Sequence, residues 1–176
     1  MLSSTSASAL ELLTASGSQP TAQWNVRGKV TRTYDSLLRS YTLACEGGPT
    51  TRLALPKDER KSLALTHSVL VLQLALSRDR PFSFELTMSD AAGTRRHVLV
   101  TYALVHNALR ALVRREVARL HGEPISTPLH TRLPLLTLPR GTWVNLVLDL
   151  GDLMDVFFAT QFTRLDGISL VLAPLS

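Results

Sequence analysis

Residues 56–96 hold the pattern that most limits the fold. A charged turn, Pro56-Lys57-Asp58-Glu59-Arg60-Lys61, leads into an apolar run that begins at Val69 and is broken only by Gln73. A strict alternation follows. Phe82, Phe84, Leu86 and Met88 fall on one side of an extended chain, and Ser83, Glu85 and Thr87 fall on the other. Side chains repeat every two residues on a strand and every 3.6 on a helix, so this spacing predicts a half-buried strand. The loop 89–93 turns the chain back through a glycine. Residues 95–102 alternate again, with Arg96, Val98, Val100 and Tyr102 on one face and Arg95, His97, Leu99 and Thr101 on the other.

Other segments read the same way. Strands are expected at 29–34, 40–45, 51–55, 69–76, 143–150 and 168–172, with turn chemistry between them. Pro56 stops the third because it cannot donate to a ladder. The 69–76 run is short, apolar and contains Val69 and Val71, so it predicts a strand buried on both faces. Residues 104–121 change period: Leu104, Ala108, Leu112 and Leu120 recur at helical spacing, and Gly122 and Pro124 end the pattern. One amphipathic helix is expected there, inserted in a connection that runs to residue 140 through Pro128, Pro134 and Pro139. A short helix is expected near 152–158, with Asp152 as its N-cap. Many short strands and few helices imply an all-β protein, an antiparallel β-sandwich or jelly roll. Its 176 residues suit a flexible Ser-rich lead over 1–16 and a single domain over 17–176.

Composition narrows the function classes. Apolar residues make up 45% and charged ones 19%, a globular balance rather than a disordered one. No apolar run reaches the ~20 residues that span a bilayer, so no membrane partner is expected. The N-terminus has no basic start and no apolar core, so no signal peptide is expected. The single cysteine, Cys45, implies a reducing compartment and a small core residue rather than a reactive thiol.

Catalytic and metal chemistry find no motif. The five histidines are scattered, and none has ligand spacing to another histidine or to Cys45. No nucleophile elbow or phosphate loop is present. Asp149, Asp152 and Asp155 stand three apart, which helix capping explains better than cation binding. No cofactor, metal, small-molecule substrate or enzyme activity is therefore expected.

Basic side chains remain. The net charge of +5 is uneven, because the C-terminal segment 141–176 carries Arg164 against four aspartates. A basic face suited to an acidic partner follows. Arg27, Lys29 and Arg32 lie along the first strand, Lys57 and Lys61 along the charged turn, and Arg95 and Arg96 at the hairpin end. Arg110, Arg114, Arg115 and Arg119 form a secondary stripe on the expected helix. Aromatics are 6% and are not interleaved with these cations, which disfavours single-stranded nucleic acid.

Several short motifs occur in a recognisable order. Gly17-Ser18-Gln19-Pro20 precedes Trp24 and Gly28-Lys29-Val30-Thr31-Arg32. Glu46-Gly47, Pro56-Lys57, Lys61-Ser62-Leu63 and Leu70-Val71 follow. Phe82-Ser83-Phe84-Glu85-Leu86, Asp90, Arg95-Arg96, Trp143 and Leu148-Asp149-Leu150 with Asp152 complete the series. In this order the chain resembles, from Gly17 to Leu172, the ciliary and flagellar inner-junction protein family (the cilia- and flagella-associated protein twenty domain). A related domain begins a centriolar WD-repeat protein.

The resemblance implies a jelly-roll-like sandwich without catalytic activity that binds tubulin in microtubule doublets or triplets. Neighbouring axonemal or centriolar proteins would be further partners. The implied location is cytoplasmic and cytoskeletal, at the axoneme of a cilium or flagellum or at the centriole or basal body. The seven residues Arg27, Lys29, Arg32, Lys57, Lys61, Arg95 and Arg96 are then the tubulin-contact candidates. The chain departs from the family in its longer 106–140 segment, and the family adds a strand after the one expected at 168–172. Two other readings stay open at this stage: a carbohydrate- or ligand-binding jelly roll, which needs exposed aromatics in one groove, and a nucleic-acid-binding module built on the arginine helix.

Overall fold

The computed structural model describes residues 9–46, 50–77, 82–102, 127–135 and 138–171. The helix expected over 104–121 lies outside them. Ten strands and one helix are described: β1 (Asn25–Arg27), β2 (Val30–Asp35), β3 (Ser40–Cys45), β4 (Arg52–Leu55), β5 (Val69–Ala75), β6 (Phe82–Asp90), β7 (Arg95–Tyr102), β8 (His130–Pro134), β9 (Trp143–Asp149), α1 (Leu150–Phe158) and β10 (Phe162–Val171).

The alternation in the sequence becomes two faces of one sheet. Six strands pair in the order β1-β4-β10-β6-β7-β8, and two ribbons, β2-β3 and β5-β9, lie apart from it. All pairings are antiparallel except β7 with β8. The inner face of the large sheet carries Phe84, Leu86 and Met88 from β6, Val98 and Val100 from β7, and Leu165 and Ile168 from β10. Leu70 of β5, Leu148 of β9, and Leu150 and Met154 of α1 close over them. Phe84, Leu86, Met88, Val98 and Val100 have no exposed surface. Fully burying such a side chain contributes about 1.5–3 kcal/mol, so this layer is the main support of the all-β sandwich.

A second, smaller cluster forms at the other end from Trp24, Leu53 and Leu55. Val30 and Cys45, at the root of the β2-β3 ribbon, pack against it. The Trp24 indole donates to the Leu12 carbonyl oxygen at 2.9 Å, and Leu12 and Leu13 join the same cluster. Leu12 and Leu13 are thereby tied to the core. Burial pushes the Cys45 thiol up, away from thiolate chemistry.

Four expectations are corrected. The β5 strand is not buried on both faces: Val69 is 52% exposed and Val71 56%. Only one face of the β5-β9 ribbon packs on the core, so Leu70 points in while the valines point out. The helix starts two residues earlier than expected, at Leu150, and its N-cap is Asp149 rather than Asp152. Asp149 has extended backbone and accepts from the amides of Gly151 and Asp152. The connection expected to be irregular up to residue 140 contains β8, which pairs in parallel with β7. The last strand is ten residues long, not five, and begins at Phe162.

Candidate binding surface

Register decides which side chains share the outer face. Arg27 on β1 stands opposite Arg52 on β4. Ala54, Ser169, Glu85 and Leu99 follow one another across β4, β10, β6 and β7. Gly167, Thr87, His97 and His130 form the next row. The middle of this face is low because Ala54, Gly167 and Ser169 are small. A groove of about 180 Å³ results, with Arg52, Glu59, Lys61 and Arg95 at its rim. Arg52 and Arg95 come from strands; Glu59 and Lys61 come from the charged turn that follows β4.

Most of the charge in this groove is already matched. Arg52 donates from Nε to Ser169 Oγ at 2.7 Å and approaches Glu59 at 3.5 Å. Glu85 meets His97 Nδ1 at 2.8 Å, and the His97 ring stacks on His130 with centroids 4.7 Å apart. Asp166 lies at a bulge in β10, almost fully buried. Ser62 and Ser89 donate to its two oxygens, and Arg164 donates to Oδ1 at 3.0 Å. Burial pushes its carboxyl up, but those hydrogen bonds and the arginine charge outweigh burial and hold it below the usual aspartate range. Arg95 and Lys61 are exposed on the rim.

The seven candidate cations do not form one patch. Arg27, Lys61 and Arg95 belong to the outer sheet face. Lys29 pairs with Glu46 at 2.9 Å, with both side chains largely in solvent. Arg32 is on the β2-β3 ribbon, its guanidinium 4.0 Å above the Tyr41 ring. Lys57 borders a separate, more open hollow with Ser18, Pro20 and Asn25. Arg96 faces inward, with 18% of its side chain exposed. Its Nη2 and Nε donate to Asp90 Oδ2 at 2.8 and 3.1 Å, and its Nη1 donates to the Pro128 carbonyl oxygen. The helical stripe Arg110, Arg114, Arg115 and Arg119 lies outside the described residues.

Arg52 is the groove residue that the candidate set omits. Its signal was in the sequence: in 52–55 the alternation puts Leu53 and Leu55 inward, which leaves Arg52 and Ala54 outward. The two indoles are not in a shared groove. Trp24 is 4% exposed, and Trp143 donates from Nε1 to Asp35 Oδ2 at 2.9 Å near the base of the β2-β3 turn. The indoles therefore supply no open platform for a sugar; the exposed aromatic pair is Tyr34 with Tyr41 on the β2-β3 ribbon, edge to face with centroids 5.5 Å apart. Among the described residues no cluster of three or more His, Cys, Asp or Glu side chains has metal-binding geometry. No helix among them is long and apolar enough to cross a membrane.

A sequence model of the CFA20 domain matches residues 1–172. The chain belongs to the CFA20 domain family. This is a cilia- and flagella-associated structural family, not a known enzyme class. The colinear motifs from Gly17 onward therefore mark true membership. The β-sandwich is the fold that the resemblance implied.

Proposed function

We propose that this CFA20 domain is a non-catalytic, microtubule-binding module of axonemal doublets or of the centriole wall. Family membership supports the ciliary setting. The observation that carries the binding mode is the placement of Arg27, Arg52, Lys61 and Arg95 on one face of a rigid six-stranded sheet. A microtubule presents a repeating acidic surface, and an array of fixed cations meets such a surface at several points at once. A single exposed ion pair contributes only ~0–1 kcal/mol. Affinity must therefore come from several pairs together, and it must weaken as salt rises. Axonemal or centriolar neighbours would contact the remaining surfaces, including the β2-β3 ribbon.

The test is placement in a cell. The full chain carrying a fluorescent tag is expressed in a ciliated line. Signal along axonemes, or at centrioles and basal bodies, is the expected result. A diffuse signal that detergent extraction removes, leaving none at either structure, contradicts the reading.

A further inference from the structure

We propose that the groove on the outer sheet face takes the side-chain carboxylates of a flexible, glutamate-rich peptide segment, with Lys61 and Arg95 as its two clamping cations. This rests on the microtubule-binding reading and deepens it by naming the part of the partner that enters.

Three observations lead there. The first is charge. Within the groove Arg52 is matched by Glu59, Glu85 by His97, and Asp166 by Arg164 and two serine hydroxyls. Glu59 and Asp166 are offset by arginines, whereas His97 holds Glu85 through a hydrogen bond. Lys61 and Arg95 are exposed at the rim, and neither is in an ion pair with a described residue, although Lys61 stands close enough to Asp58 to act on its charge. An anion entering between them gains two partners without breaking an existing pair.

The second is size. Drug-sized ligands occupy pockets of about 300–1,000 Å³. This groove has about 180 Å³ and is open along its length. It admits one or two side chains at a time, not a folded ligand or a nucleoside. The third is the floor. Ala54, Gly167 and Ser169 keep the centre low, so an extended segment lies close to the sheet between the two walls. A Cβ added at Gly167 would sit 3.3 Å from the Leu55 carbonyl oxygen, so the floor has little spare room and stays flat.

A phosphate polyanion would use the same cations, but it is the weaker match. Glu85, whose partner is a histidine rather than an arginine, lines one wall and repels a continuous phosphate track. A carboxylate on a flexible side chain can place its charge by the cations and away from that wall. Each contact is weak, so the occupant must repeat its acidic group, which a glutamate-rich segment does.

The experiment is fluorescence anisotropy with a labelled oligoglutamate peptide, across ionic strength, on the full chain. The unaltered chain is expected to bind, and binding should fall as salt rises. Lys61→Glu/Arg95→Glu should weaken binding by about tenfold or more. Arg39→Glu reverses a charge on the β2-β3 turn, away from the groove, and should leave affinity within about twofold. All three positions are exposed, and thermal melts verify that both variants fold.

The proposal is overturned if the unaltered chain ignores oligoglutamate at low salt, or if the ribbon variant loses as much as the groove variant. It is also overturned if a single-stranded oligonucleotide of equal charge binds more tightly with the same loss in the groove variant. Pelleting with microtubules separates the two readings. A chain that pellets but ignores oligoglutamate sinks this inference alone. A chain that binds oligoglutamate but does not pellet sinks the microtubule reading and keeps the groove assignment.

Discussion

Replacing Arg96 by alanine removes the guanidinium that neutralises a buried carboxylate. The Asp90 side chain is 1% exposed, and its Oδ2 takes two bonds from Arg96. Its Oδ1 accepts the amides of Ala92 and Thr94, which close the β6-β7 turn. Removing one member of a buried ion pair costs about 3–5 kcal/mol. Here two amide bonds survive and Arg96 is partly open to water, so the lower end applies, about 3 kcal/mol. For a chain of this size that corresponds to a fall of roughly 6–12 °C in Tm.

The pH response gives a second signature. Burial pushes the Asp90 carboxyl up, while bonds from Arg96, the Thr94 amide, the Arg96 charge and the Ala92 amide together hold it below the usual range. A folded-state pKa below the unfolded one stabilises above the ordinary aspartate value. That contribution disappears as pH falls through the lowered folded value. Without Arg96 the folded-state value moves back up towards the unfolded one, so the variant, less stable at neutral pH, should lose less further stability than the parent as pH falls below the ordinary aspartate value. Arg95→Ala is the control. Its side chain is exposed, and it should change stability by less than about 0.5 kcal/mol. Chemical denaturation followed by circular dichroism measures both. If the two alanine variants unfold at the same denaturant concentration, the assignment of Arg96 to a buried pair is wrong.

Three further outcomes are expected. Gly28→Ala should destabilise by about 2–4 kcal/mol, because Gly28 has φ +80° and a new Cβ would lie 2.5 Å from Thr51 Oγ1 and 2.9 Å from Thr51 Cα. A thermal melt unchanged from the parent would contradict this. Leu86→Ala, at the unexposed centre of β6, should cost about 2–5 kcal/mol and be read by urea unfolding. Stability should fall as pH drops from the ordinary aspartate pKa through the lowered folded values, because Asp90 and Asp166 are both held low. Asp166→Asn should then remove part of that acid dependence, since an amide does not titrate; an identical stability–pH curve would contradict the assignment.

Much of this architecture is readable in the residues because one face of each main strand is covered. In β6, the alternation from Phe82 to Met88 reports the sheet's two sides directly. In β5 the same logic fails: Val69 and Val71 are as apolar as Leu70 and Leu72, so composition cannot say which side lacks a partner. The strands β1 and β8 have three and five residues. Both depend on pairing partners distant in sequence, and their local propensity gives no signal of it. Two aspartates three residues apart offer the same capping chemistry. Only the extended backbone at Asp149 selects the true N-cap.

The basic candidates show the same division. Arg96 shares its parity with Val98 and Val100, so the strand pattern already placed it inward. Treating Arg95 and Arg96 as one basic end obscured that difference. Arg52 was equally legible from its neighbours. Which cations keep their charge free was not legible, because it depends on Glu59, Glu85 and Asp166 arriving from other elements. The arginine stripe of 110–119 lies outside the described residues.

Co-sedimentation with stabilised microtubules, as a function of ionic strength, probes the binding claim itself. The purified chain should pellet with polymer in a saturable manner at low salt, and the bound fraction should drop steeply as salt is added. A chain that stays in the supernatant at the lowest salt, or pellets equally at every salt concentration, contradicts a charge-driven grip on the microtubule.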